Sequence, residues 1–237
     1  MSFTILTTSP GFGRAGDLPD RLEATGWRLI RCGAGDQTHH LPHADALVAG
    51  LPAVDAAVLA AAPRLRAVVK HGVGLDTIDI AACTTRGIAV TSTPGANANA
   101  VAELALAHLF ALSRNLISGH ASVTSGGWNR RIGRELAGST LGIVGFGAIG
   151  RSLATKAGAL GMRILAADPF ADPAEAASLG VTLLPLPGLL AKSDHVSLHV
   201  TGGAGAAGLV GAAGNSAMKP GGAGLNPGVD VTPPPAA

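Results

Sequence analysis

The stretch Leu141-Gly142-Ile143-Val144-Gly145-Phe146-Gly147-Ala148-Ile149-Gly150 decides how this chain folds. An apolar run, Leu141 to Val144, leads directly into a G-x-G-x-x-G pattern made by Gly145, Gly147 and Gly150. A second apolar run, Ile164 to Ala167, ends at Asp168, eighteen residues past the last glycine. Strand, glycine turn, helix, strand and acid form the layout that a dinucleotide-binding βαβ unit requires. The first glycine permits the tight turn, and the second lets a pyrophosphate approach bare backbone. The third lets the helix pack close to the sheet, while the helix N-terminus offers free N–H groups and a partial positive charge. Gly145, Phe146, Gly147, Ala148, Ile149 and Gly150 are thereby expected to cradle the diphosphate. Asp168, followed by Pro169, is expected to accept hydrogen bonds from the adenosine ribose hydroxyls. Its charge repels a 2′-phosphate, which selects NAD over NADP. In a chain with 34 glycines the bare pattern would be weak; the flanking strand, helix and acid make it specific.

The 237 residues suffice for one large domain or two small ones. Hydrophobic residues make up 47% and aromatics only 3%, with no tyrosine, so the core must rest on Ala, Val, Leu and Ile. A formal charge of +2 without a Lys/Arg run points to no nucleic-acid or anionic-membrane partner. Cys32 and Cys83 are isolated and lack metal-ligand spacing, as expected of reduced, buried thiols in a cytosolic protein. Asp36, His39, His40 and His43 share a polar segment whose spacing fits a solvated loop better than a metal site. Met1 to Leu6 reads as a first strand, not as a signal peptide. No apolar run reaches the roughly 18 residues of a membrane span. A soluble, cytoplasmic protein is expected.

Short apolar runs alternate with helical patterns over the first ninety-odd residues. Strands are expected at Phe3–Thr7, Trp27–Arg31, Ala46–Leu51, Leu65–Lys70 and Ile88–Thr91, and helices at Leu18–Thr25 and Val54–Ala61. Such alternation predicts an α/β fold with helices on both faces of a parallel sheet. Asp76 and Asp79 are expected to cap a following helix. A long helix is predicted from Ala98 to Leu116; its apolar residues lie on more than one face, which predicts burial on several sides. On it, Glu103 and His108 are expected to satisfy buried polar contacts. Residues 119–138 read as a polar, glycine-rich segment containing Trp128, which is expected to pack at a dimer contact. Further strands are expected at Val181–Leu184 and His195–Val200, with His195 in the core. Residues 202–214 are almost entirely Gly and Ala, a composition that holds a helix poorly and gives a core little to pack.

Further motifs extend the pattern: Lys70-His71-Gly72-Val73-Gly74-Leu75-Asp76-Thr77-Ile78-Asp79, Thr93-Pro94-Gly95-Ala96-Asn97, and Val101-Ala102-Glu103. After Trp128 come Gly133-Arg134-Glu135-Leu136-Ala137-Gly138, the glycine turn, Asp168-Pro169, and Ser193-Asp194-His195-Val196-Ser197-Leu198-His199-Val200. In this order they resemble the D-isomer-specific 2-hydroxyacid dehydrogenases, the family of phosphoglycerate, glyoxylate/hydroxypyruvate and formate dehydrogenases. The likeness covers about residues 45–200, with traces over 208–226. It implies two doubly wound parallel-sheet domains: a flavodoxin-like substrate domain over 1–96 and an NAD-binding Rossmann domain over 97–237, incomplete from about 201. It implies hydride transfer between NAD and a D-2-hydroxy or 2-oxo acid. Backbone N–H groups of Val73 and Gly74 would hold the substrate carboxylate and Asn97 would steady that loop. Val101 would pack near the nicotinamide, His199 and Val200 would end a strand at the cofactor, and the helix from 98 would help form a homodimer. For His71, beside the carboxylate turn, a structural role is expected.

The resemblance also implies an arginine after the Met-Lys-Pro-Gly segment, then a glutamate and a histidine acting as general acid/base. Met218-Lys219-Pro220-Gly221 and Asn226 fit, but the arginine position falls on Val229 and the chain ends before the other two. These 237 residues are therefore expected to bind NAD weakly and turn nothing over. Three readings of the tail stand open: a segment unfaithful to the natural protein, a decayed and inactive relative, or a nucleotide-sensing scaffold like the C-terminal-binding-protein corepressors. A methyltransferase using S-adenosylmethionine also has a glycine turn and an acid; the Val73-Gly74 turn and the long helix argue against it.

Overall fold

Two β-rich units, Met1–Ala96 and Asn97–Ala237, divide the chain in the computed structural model, which describes residues 2–14, 16–33, 36–200, 209–210, 212–220 and 222–225. In the first, strands β1 (Thr4–Thr7), β2 (Arg28–Arg31), β3 (Ala46–Ala49), β4 (Ala67–Lys70) and β5 (Ala89–Thr91) form a wholly parallel sheet in the order β2-β1-β3-β4-β5. This is the flavodoxin-like doubly wound order. Helices α1 (Leu18–Ala24), α2 (Ala56–Ala61) and α3 (Ile80–Thr85) make the crossovers. Every residue of the central β3 is buried, the signature of a strand covered on both faces. Leu6, Leu47, Leu59 and Val68 fill the core with Cys32 and Cys83, both free thiols whose pKa burial raises.

The second unit starts with α4 (Ala98–Ser113) and α5 (Leu116–Thr124). Its sheet consists of β6 (Thr140–Val144), β7 (Arg163–Ala167), β8 (Val181–Leu183), β9 (His195–Leu198) and β10 (Ala223–Leu225), all parallel in the order β10-β9-β6-β7-β8. Counted from β6, that is the dinucleotide-binding order around a first strand at the switch point. The intervening helices are α6 (Ala148–Ala159), α7 (Pro173–Ser178), α8 (Leu186–Lys192) and α9 (Ala212–Ala217). Both units are thus α/β and doubly wound.

The two sheets start by the same device. Asp45, just before β3, donates its backbone N–H to Thr4 O and accepts Thr4 N–H on its carboxylate, each at 2.9 Å. Asp194, just before β9, does the same with Thr140, at 2.9 and 2.8 Å. Each acid closes the open amide at the foot of the neighbouring strand, where the ladder provides no partner. Burial alone would raise both carboxyl pKa values. For Asp45 the Thr4 amide and the Arg64 guanidinium outweigh it, and for Asp194 the Lys219 ammonium and Thr140 amide do, so both fall below 3.8.

Several sequence expectations need correction. Val54 bridges Ile78, and α2 begins only at Ala56 because the Asp55 carboxylate caps it through Val58 N–H. Asp79 likewise caps α3 through Ala82 N–H, whereas Asp76 lies beside Gly74. The helix predicted over 98–116 stops at Ser113. Asn115 takes a left-handed conformation (φ 53°), and α5 departs at 65° through part of the segment read as polar and glycine-rich. Burial on α4 is confined to one stripe, Ala98, Ala102, Ala105, Leu109 and Ser113, while Leu104, Phe110 and Leu112 are exposed. Small residues let α4 approach α6, so the bulky apolar ones are left on the outer face. Glu103 and His108 are exposed too, not engaged in buried contacts. His195 is half-buried at the start of β9 and lines a cavity, not the core. Residues 202–208 and 211 of the Gly/Ala-rich stretch lie outside the described residues; α9 starts within its end, at Ala212, and β10 follows it, with Val210 and Leu225 buried. Among the described residues no single helix is long and apolar enough to cross a membrane.

Replacing Asp45 by Ala leaves the Thr4 amide unpaired and removes the Arg64 contact, which is two-fifths exposed and contributes little. We expect a loss of roughly 2 kcal/mol in urea unfolding at neutral pH. A lowered carboxyl pKa stabilises the fold above 3.8 and ceases to as pH falls through the lowered value. The difference between wild type and Asp45→Ala should therefore shrink in melts taken at successively lower pH below 3.8; an unchanged difference would contradict the assignment.

Candidate functional site

At the carboxyl end of β6 the backbone turns through a contact that excludes a side chain. Gly145 has φ +91°, and a Cβ there would lie 2.5 Å from the His199 carbonyl oxygen and 3.1 Å from Val200 Cγ1. A Cβ on Gly150 would collide with the Gly145 carbonyl, so the first turn of α6 lies directly against the strand end. Gly147 differs. It is the N-cap of α6 at φ −73°, and a Cβ there would meet nothing within 4 Å. The space above it is open, and the amides of Ala148 and Ile149 begin the helix beside it.

Asp168, at the end of β7, has its carboxylate over this turn. Oδ2 accepts from Phe146 N–H and Oδ1 from Phe170 N–H, both at 2.8 Å. Each oxygen keeps a further lone pair, so a pair of hydroxyls can still be accepted. Phe146 is buried, and its carbonyl accepts from Arg151 Nη1 at 3.1 Å. Arg151 in turn pairs with Glu175 of α7 at 3.1 Å. His199 and Val200 follow β9. His199 Nε2 lies 2.8 Å from Ser197 Oγ, and burial lowers its pKa to about 4, leaving a neutral imidazole at the strand end. Val101 is half-buried on α4, Pro169 is exposed, and exposed Asn97 is the N-cap of α4 without a side-chain capping bond. Asn99 Oδ1 accepts from Lys156 Nζ at 2.6 Å, tying the start of α4 to α6. The glycine turn, Asp168, His199 and Val200 thus meet at one end of one sheet.

The Val73-Gly74 turn belongs to the first unit and follows β4. Thr93 holds its start, through Gly72 N–H to Thr93 Oγ1 (3.1 Å) and Thr93 N–H to Gly72 O (3.0 Å). Buried Lys70 donates to Gly50 O and Thr77 Oγ1, at 2.7 and 2.9 Å. His71 Nδ1 lies 2.6 Å from Ser9 Oγ, and its ring meets Phe12 edge-on. Val73 is partly exposed, and Asp76 Oδ1 abuts Gly74. The Ser9 contact could not be read from sequence, since 62 residues separate it from His71. Val229 lies outside the described residues.

Residues 106–228 match the family described as D-isomer specific 2-hydroxyacid dehydrogenase, NAD binding domain. The chain belongs to this family. Among its relatives, the D-3-phosphoglycerate dehydrogenase of Mycobacterium tuberculosis is 44% identical over 184 residues, which are 76% of this chain and 35% of that one. The chain thus spans about a third of the length of that curated relative. A protein of Thermus thermophilus is 31% identical with a TM-score of 0.84, over 94% of this chain and 73% of that one. The D-lactate dehydrogenase of Aquifex aeolicus, solved with NAD and lactic acid, is 27% identical with a TM-score of 0.78, over 94% and 68%.

NAD is the cofactor of this dehydrogenase domain, and the residues present fit it. Open space lies above Gly147 where a diphosphate needs bare backbone, and a carboxylate lies at the end of the second strand of the fold. The glycines separate into two physical classes. Gly150→Ala should lower stability, because backbone must move, whereas Gly147→Val should fold normally and bind NADH at least about tenfold more weakly. Thermal melts beside fluorescence titration check this; equal NADH binding by Gly147→Val would remove the diphosphate from that position.

His199 yields a pH expectation. Its folded pKa lies below the ordinary 6.5, so the unfolded chain takes up the proton first. Stability should be intact above 6.5 and fall as pH drops toward about 4, by up to roughly 3 kcal/mol. In His199→Asn, urea melts across this range should show a flatter profile.

Proposed function

We propose that the natural protein is an NAD-dependent oxidoreductase that transfers a hydride between nicotinamide and a D-2-hydroxy or 2-oxo acid. The observation that carries this reading is the Asp168 carboxylate fixed over the Gly145–Gly150 turn by Phe146 N–H. Gly145 to Gly150 take the diphosphate on backbone amides. Asp168 accepts the ribose hydroxyls and Pro169 follows it at the adenosine end. Val101, His199 and Val200 border the nicotinamide; bound NAD supplies the hydride-accepting ring. Residues 1–96 act as the substrate domain, in which the Val73 and Gly74 amides hold the carboxylate, with Asn97 in support. Its anchoring through Thr93 and Lys70 gives such amides a fixed direction, which anion recognition favours.

The reading includes a homodimer in the cytoplasm. The dimer is supported by exposed large apolar side chains on α4, α5 and the following segment, Leu104, Leu112, Ile117 and Trp128 among them. The reading also includes inactivity of this polypeptide, because Val229 stands where the family resemblance places the arginine that pairs with the substrate carboxylate.

Fluorescence titration should show saturable NADH binding and weaker NADPH binding. Asp168→Ala should lower NADH affinity roughly tenfold while NADPH loses little, since a like charge opposing the 2′-phosphate is gone. Wild-type protein that binds both nucleotides equally would defeat the cofactor reading. NADH should remain unconsumed with glyoxylate, hydroxypyruvate or pyruvate; robust turnover would refute inactivity and leave the cofactor reading standing.

A further inference from the structure

The carboxyl edge of the first sheet holds one imidazole at three points. His71 follows β4, and its backbone N–H donates to Ala49 O at 3.0 Å. Its Nδ1 lies 2.6 Å from Ser9 Oγ, and Phe12 meets the ring edge-on with centroids 5.6 Å apart. In the order β1-β3-β4 the ends of β1 and β4 are about 10 Å apart, so the side chain of His71 crosses the end of β3 to reach Ser9. Gly50, at that end, has no side chain, and its backbone lies directly against that of Thr8 and Ser9. The bond thus spans β1 and β3, the switch point at which doubly wound sheets of this order take their ligands.

The same bond settles which nitrogen faces outward with a hydrogen. Ser9 is 8% exposed, and its Oγ has no other partner among the described residues. A hydrogen on Nδ1 would leave this buried hydroxyl without an acceptor for its own. The hydroxyl therefore donates to Nδ1 of the neutral ring, and Nε2 carries the hydrogen, as it also does in the charged ring. His71 is exposed, and its Nε2 has no partner among the described residues. The loop that bears Ser9 is held independently of the imidazole. Ser9 N–H donates to Thr7 Oγ1 at 3.1 Å, and Arg31 donates to the carbonyls of Phe12 and Gly13.

We propose that His71 Nε2–H donates to a hydroxyl on C3 of the acid, which makes His71 a specificity-determining residue and Ser9 its positioning residue. The assignment rests on the reading that the Val73 and Gly74 amides hold the carboxylate. The Cα atoms of His71 and Val73 are at most about 7 Å apart, the scale of a three-carbon acid. A single donor suits a single hydroxyl oxygen, whereas a phosphate or sulfonate calls for several converging charged donors. Lys70 is taken up by Gly50 O and Thr77 Oγ1, Arg31 by the loop carbonyls, and Asp76 stands exposed beside Gly74. The substrate class is thereby a 2-oxo or 2-hydroxy acid bearing a 3-hydroxyl.

The test follows wild-type protein by NMR with NADH present, through the His71 ring nitrogens and the Val73 and Gly74 amides. In mildly alkaline buffer the ring should carry its hydrogen on Nε2; a hydrogen on Nδ1 instead overturns the proposal. D-glycerate should shift Nε2 saturably, with a Kd about fivefold below that of D-lactate, which lacks only the 3-hydroxyl. D-3-phosphoglycerate should bind no tighter than D-glycerate, and tighter binding overturns the assigned class. His71→Phe should bind D-glycerate and D-lactate alike. His71→Gln, whose amide nitrogen takes the place of Nε2, should keep part of the preference. Ser9→Ala should move the ring hydrogen partly onto Nδ1 and reduce the preference. Equal Kd values in the wild type, or a preference that survives in His71→Phe, overturn the proposal. Shifts at the Val73 and Gly74 amides without a preference strike the His71 assignment alone. No shift at those amides with either acid strikes the carboxylate reading, and this proposal with it.

Discussion

The close approach of Gly150 to the Gly145 carbonyl sets the geometry of the NAD-binding unit. With no Cβ between them, α6 starts directly on the end of β6. The helix N-terminus then stands over the centre of the sheet, and the turn stays narrow enough for Asp168 to reach Phe146 N–H from the next strand. Arg151 closes the turn from the helix side through the Phe146 carbonyl. One steric constraint thereby places an amide cradle, a positive helix end and a carboxylate within reach of one another.

The amino edges of both sheets depend on a different interaction. Asp45 and Asp194 stand at equivalent places, each exchanging two hydrogen bonds with the first residue of the neighbouring strand. A parallel strand leaves its first amide open, and a carboxylate held by a cation answers it strongly. Arg64 provides that cation in one unit and Lys219 in the other. The two ends of the second sheet consequently differ in character. At the carboxyl end open space lies above Gly147; at the amino end Asp194 covers the first amide of β6, and the buried Ser113 Oγ and His195 Nδ1 have no partner among the described residues.

Much of the cofactor end was legible because its determinants are local. A strand, three glycines at fixed spacing and an acid after the next strand are read along the chain, and each glycine has its own steric reason. The α4 face is not legible in the sequence for a related reason. Leucine and phenylalanine dominate its hydropathy, yet Ala98, Ala102 and Ala105 make the buried stripe because α6 comes close. Similarly, the break at Asn115 follows from a single left-handed residue that no periodicity announces. In and after the Gly/Ala-rich stretch, Val210 and Leu225 are buried, α9 lies against α8 and β10 pairs with β9, contacts that local composition does not announce.

The order of apolar runs, turns and glycines by itself determined the α/β class, the dinucleotide motif and the family likeness, since these depend on contacts a few residues apart. Tertiary structure alone decided which face of α4 is covered, that Ser9 meets His71, that Asp194 pairs with Lys219, and that Ser113 and His195 line one cavity. Ser9 and His71 are 62 residues apart and Asp194 and Lys219 are 25 apart, and only the closing of each sheet brings such partners into range.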